Sequence, residues 1–172
     1  EYRRAALVAC LVAGAVTISV WGQLRMLAEA LVSCRKRDLP VILFTGAHLV
    51  KNGLGLLLID MLRRDLITCV AGNMATAIHD FELALIGATS EYVPQALEKG
   101  QFGMAYEFAY INHAMLDGNA ASLGLGEALG KTICDDAFRA KVFSRVVRQG
   151  SPDQFLHPDK SILATCYEKE IP

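Results

Sequence analysis

The 172-residue chain has no excess of charge of either sign: 17 Lys and Arg stand against 18 Asp and Glu, a formal net charge of -1. Its pI is near 6.5. Nucleic-acid binders usually carry a basic footprint, so the composition argues against one. No C-x-x-C pair is present either. The five cysteines, Cys10, Cys34, Cys69, Cys134 and Cys166, are odd in number and widely scattered, which points to neither a disulfide framework nor a zinc site. They read as reduced, mostly buried thiols of a cytoplasmic protein. Also missing are a Walker sequence, a G-x-S-x-G elbow, an internal repeat and any low-complexity stretch, which removes two common nucleotide and hydrolase signatures.

A clear membrane span is lacking too. Ala5 to Trp21 is uncharged after Arg3-Arg4, but Gly14, Thr17 and Ser19 dilute it, and it falls short of the roughly 20 residues a span needs. Two readings stand. The β-branched Val16, Thr17, Ile18 and Val20 favour a buried strand or core helix, whereas the basic start favours a secretory signal or anchor.

Apolar residues, by contrast, are plentiful at 53%, with a mean hydropathy of +0.32. That suits a sheet buried on both faces or an oligomer with large hidden interfaces. The length fits one domain with a real core.

Leu24, Leu27, Ala28, Leu31 and Val32 mark one face of a helix that ends in Arg35-Lys36-Arg37, where cations suit the helix dipole. Pro40 then opens the apolar run Val41 to Phe44, bounded by Thr45-Gly46, and Ile67 to Ala71 repeats the pattern before Gly72-Asn73. Both read as central parallel strands. A helix from near Asn52-Gly53 carries Leu56, Leu57, Ile59, Met61 and Leu62 between them, completing a βαβ unit of about 30 residues. The rest reads as helices near 74–87, 92–99, 102–116, 122–134, 136–149 and 161–170. The closing Ile171-Pro172 reads as the approach to another strand, so a Rossmann-like three-layer α/β domain with a mostly parallel sheet is expected over residues 38–172 and expected to continue. Residues 1–37 form an N-terminal apolar segment and helix of open placement.

Thr45-Gly46-Ala47-His48 and Gly72-Asn73 occupy equivalent strand ends, where a sheet builds ligand sites and free backbone N–H groups can meet a phosphate. One shared cleft is expected. His79 and Glu82 share a helix face. They read as an ion pair, because a metal needs further ligands that His113 and His157 are not spaced to supply. Asp80, on a different face, is placed to accept ribose hydroxyls. Gly124-Leu-Gly126-Glu-Ala-Leu-Gly130 superficially resembles a dinucleotide loop but follows no strand, so it reads as a close helix contact. Phe102, Tyr106, Phe108 and Tyr110 read as core and interface.

Three stretches carry a family likeness: Thr45-Gly-Ala-His-Leu-Val-Lys-Asn-Gly53, Ala71-Gly-Asn73 and Ala77-Ile-His-Asp-Phe-Glu-Leu-Ala-Leu-Ile-Gly-Ala-Thr-Ser-Glu91. From about Asp38 onward the chain resembles the deoxyhypusine synthase family, nearest its bacterial deoxyhypusine-synthase-like, homospermidine-synthase-like branch. The resemblance implies a Rossmann-like homotetramer with interface active sites. It places Ala47, His48, Lys51, Ala71, Gly72, Asn73 and Asp80 beside NAD. It also implies NAD-dependent transfer of the aminobutyl group of spermidine to an amine acceptor, through an enzyme lysine that forms a covalent imine. The family's catalytic lysine and several polyamine-binding acids lie downstream of the matched stretch, so no catalytic residue is assigned. Asn73-Met74-Ala75-Thr76 replaces an N-G-A-G-like turn with bulkier residues. The rival expectation is a non-catalytic NAD-binding or structural subunit on the same fold.

Overall fold

The computed structural model of the chain describes residues 7–10, 21–146 and 152–172. Most of Ala5 to Trp21, including the β-branched series at 16–20, lies outside them. The described part of the stretch is strand β1 (Leu7–Cys10). Helix α1 (Trp21–Lys36) ends in Arg35 and Lys36, as the dipole favours.

Strand β2 (Val41–Thr45) follows Pro40, and β3 (Cys69–Gly72) lies beside it. β1, β2 and β3 pair in parallel, in that spatial order. Phe44 stands opposite Ala71, and Thr45 opposite Gly72. Val41 and Leu43 are buried while Phe44 is exposed, so β2 shows one face to a core and is not buried on both sides.

The single helix expected between β2 and β3 is two. Helix α2 (Ala47–Lys51) starts directly after Gly46, and α3 (Gly55–Arg63) follows a break at Asn52–Gly53. Gly53 has φ +76°, a conformation that glycine reaches without a Cβ penalty. It turns the chain between the two helices.

Helix α4 (Met74–Ile86) is capped at both ends. The Asn73 side chain accepts the Thr76 N–H, and Gly87 closes the helix at φ +74°. The regular elements described beyond it are helices: α5 (Val93–Glu98), α6 (Glu107–Ala120), α7 (Leu125–Cys134), α8 (Asp136–Phe143) and α9 (Ile162–Glu168).

Two cores result. One lies against the sheet and gathers Leu31, Val41, Leu43, Leu49, Val50, Leu58, Ile59, Leu62 and Ile67, closed by Ile162 of α9. The other is helical and gathers Phe81, Ala84, Leu85, Tyr110, Ile111, Ala114, Leu129, Ile133, Val142 and Phe155, closed by Ala164 of α9. Each fully buried large side chain contributes roughly 1.5–3 kcal/mol. α4 and α9 serve both cores: Leu83 and Ile162 face the sheet cluster while Phe81 and Ala164 face the helical one. These two helices are the seam of the molecule. The architecture is mixed α/β with a large helical share, and among the described residues the parallel sheet has three strands.

Candidate functional site

Polar side chains gather at that seam. Asp80 of α4 is 1% exposed. Its Oδ1 accepts the Ile162 N–H at 2.8 Å, and its Oδ2 accepts the Leu163 N–H at 3.0 Å and the Ser161 hydroxyl at 2.6 Å. Ser161 Oγ in turn accepts the Ala164 N–H at 2.9 Å. The opening N–H groups of a helix have no partner within it, and here a carboxylate from another helix and the cap serine satisfy three of them. Burial pushes the Asp80 carboxyl above its usual pKa, against the pull of these hydrogen bonds.

Beside this joint lies a cleft of about 1100 Å³. Its walls are the end of β3 and the start of α4 (Ala71, Gly72, Asn73, Thr76), the start of α7 (Gly126, Glu127), and α9 with the chain end (Leu163, Cys166, Tyr167, Glu168, Glu170). It opens on the outer side of β3, where the Val70 N–H donates to the Pro172 carbonyl at 2.9 Å. Glu127, Glu168 and Glu170 are exposed there. The described lining residues include no Lys, Arg or His. Burial, then the neighbouring Asp80 and Cys69, push the Cys166 thiol up to about 12.

Of the seven residues expected beside a cofactor, Ala71, Gly72, Asn73 and Asp80 line this cleft, while Ala47, His48 and Lys51 lie apart on α2. The single cleft expected between two strand ends is therefore divided. The reason is topological: such crevices open where strand order reverses, and β1, β2 and β3 run in sequence. α2 instead packs on α4, anchored by buried Leu49 and Val50. What joins the two turns is Thr76, whose Oγ1 lies 3.2 Å from Asn73 Oδ1 and 3.5 Å from the Thr45 carbonyl. Sequence reasoning missed Thr76. Its signal was the spacing Asn73-x-x-Thr76 at a helix start.

His79 and Glu82 meet as expected, with His79 Nδ1 3.1 Å from Glu82 Oε2. Thr89 Oγ1 donates to Glu82 Oε2 at 2.5 Å and lies 2.6 Å from His79 Nδ1. The Ser90 N–H also donates to Glu82. The cluster pins the loop after α4.

Gly130 is a close helix contact, as its motif suggested. A Cβ there would stand 2.7 Å from the Leu163 carbonyl and from Tyr167 Cβ. The cysteines are less buried than expected, since Cys34, Cys69, Cys134 and Cys166 are all only partly covered. No described helix is long and apolar enough to cross a membrane.

No protein-family model, curated protein or solved structure matches the chain.

Proposed function

We propose that the protein is an NAD-dependent transferase of polyamine metabolism that moves the aminobutyl group of spermidine to an amine acceptor. The observation that carries this reading is the acid-lined cleft, whose walls include Glu127, Glu168 and Glu170 as well as the Gly72–Asn73 turn. Exposed carboxylates without a competing base suit a polyamine cation. A cleft of about 1100 Å³ has room for a dinucleotide beside it. The first-turn amides of Met74 and Ala75 lack an acceptor within α4 and sit at the positive end of its dipole, which suits a pyrophosphate.

Bound NAD would supply the hydride acceptor. The chain's own residues would hold the cation (Glu127, Glu168, Glu170), shape the phosphate turn (Gly72, Asn73, Thr76) and wall off water (Leu163, Tyr167). The resemblance adds a homotetramer to this reading.

One observation favours the rival, a non-catalytic NAD-binding or structural subunit. Asp80, which the resemblance placed on the cofactor, has both oxygens engaged by the start of α9. The deciding experiment is calorimetric titration of the full chain with NAD and with spermidine, followed by NADH absorbance with both present and a diamine acceptor. Binding of both with NADH or aminobutylated product supports the transferase. NAD binding without turnover supports the rival, and absence of NAD binding overturns the transferase and leaves the structural subunit.

A further inference from the structure

Among the described residues, the buried side-chain nitrogens and oxygens that meet no partner are Tyr110 Oη, His113 Nδ1 and Asp117 Oδ2. All belong to α6. Their spacing of three and then four residues sets them in one row along one face of the helix, with successive Cβ atoms about 5–6 Å apart. Unmet buried polar atoms are rare in folded proteins. A row of them on a single helix face marks a place.

That face meets α8. The Tyr110 ring centroid stands 4.5 Å from that of Phe143. Asp117 receives Lys141 Nζ and Arg145 Nη2, each at 2.9 Å and both on Oδ1. The Asp117 side chain is 4% exposed, against 53% for Lys141 and 41% for Arg145, so the two cations lie on its solvent side. Oδ2, the other half of the same charged group, has no donor. A buried carboxylate oxygen left so is costlier than a neutral group would be.

We propose that the seam between α6 and α8 holds ordered internal water that serves these atoms. Carboxylate Oδ2 only accepts hydrogen bonds, whereas the tyrosine hydroxyl and the imidazole nitrogen take either role. Water offers two hydrogens and two lone pairs. It therefore donates to Oδ2 and still meets His113 Nδ1 or Tyr110 Oη in whichever role each requires. Size points the same way, because all three atoms are covered and nothing bulkier reaches them without parting the helices. Buried water typically makes about three hydrogen bonds and occurs on the order of once per 27 residues. Other occupants fit poorly. A metal ion would meet two cations around a single carboxylate, and the described residues contain no group of three or more His, Cys, Asp or Glu able to hold one. An anion would face the bare Oδ2.

The proposal is independent of the cofactor reading, and two experiments on the full chain test it. A high-resolution crystal structure of the wild type is expected to show water about 3 Å from Asp117 Oδ2. A dry seam, or a protein group bonded to the three atoms in its place, would overturn the proposal. Tyr110→Phe removes only the hydroxyl and keeps the ring against Phe143. With water on that hydroxyl the variant loses a hydrogen bond, and its folding equilibrium constant from urea denaturation is expected to fall about fivefold. An unchanged or raised constant would mean that the hydroxyl is idle in a dry apolar setting, and would overturn the proposal as well.

Discussion

Asp80 and Ser161, 81 residues apart in sequence, share a hydrogen bond of 2.6 Å that fastens α4 to the start of α9. α4 begins at the Gly72–Asn73 turn and α9 forms the opposite wall of the cleft. This joint sets the shape of the site without Asp80 facing solvent.

Removing either partner leaves buried donors unmet. Asp80→Ala is expected to cost about 3 kcal/mol, since three donors lose a charged acceptor. Ser161→Ala is expected to cost about 1–2 kcal/mol as a lost cap and a lost bond to Asp80. Because the two share one network, the double variant should fall short of the sum by about 1 kcal/mol. Urea denaturation of the four proteins measures this, and strict additivity would show that the joint is not a coupled unit.

Gly130 tests the close approach of α7 to α9. Alanine normally improves a helix interior by about 1 kcal/mol over glycine. Here the added methyl meets the Leu163 carbonyl and Tyr167 Cβ at 2.7 Å, and overpacking of this kind costs about 1–3 kcal/mol. Gly130→Ala should therefore destabilise. A melt shifted upward would mean that α9 can move away, and with it the cleft wall.

The Cys166 thiol, raised to about 12 from an ordinary 9.0, should be a poor nucleophile. Near pH 8 its thiolate fraction is roughly a thousandfold below that of an unperturbed cysteine. Iodoacetamide labelling followed by peptide mass spectrometry should therefore modify Cys166 far more slowly in the native protein than in urea. Equal rates would show that α9 opens readily.

Asp65 supplies a pH dependence of defined sign. Its hydrogen bond from Lys169, and the charges of Lys169 and Arg35, hold its pKa below the ordinary 3.8. The folded state thus releases this proton more readily than the unfolded chain. The stability that Asp65 contributes is present above pH 3.8 and is lost as pH falls through the lower, folded value. The wild type and Asp65→Asn should differ in urea midpoint at neutral pH and converge in acid, with the difference shrinking at high salt because the pair is exposed. A difference that persists in acid would remove the ion pair as its cause.

Local chemistry made much of the fold legible. Pro40 and the apolar run after it mark β2, Asn73 and Gly87 bracket α4, and Ser161 opens α9, because caps, prolines and glycines act on the backbone within a few residues. The same reasoning misplaced α6, which was expected over 102–116 and runs from Glu107 to Ala120. Gly103, at φ +75°, delays its start. Gly118 looks like a stop signal but lies inside the helix, where it lets Ala128 of α7 approach closely.

The sequence by itself determined the apolar runs, the extent of α4, the two glycine turns and the His79–Glu82 pair, all of which depend on neighbours close along the chain. The tertiary structure alone decided where the cleft lies, that Asp80 binds α9, and that Ala47, His48 and Lys51 stand apart from the cleft. Those outcomes depend on strand order and on contacts between residues as distant as Asp80 and Ser161, and no local periodicity encodes which buried helix end a carboxylate will meet.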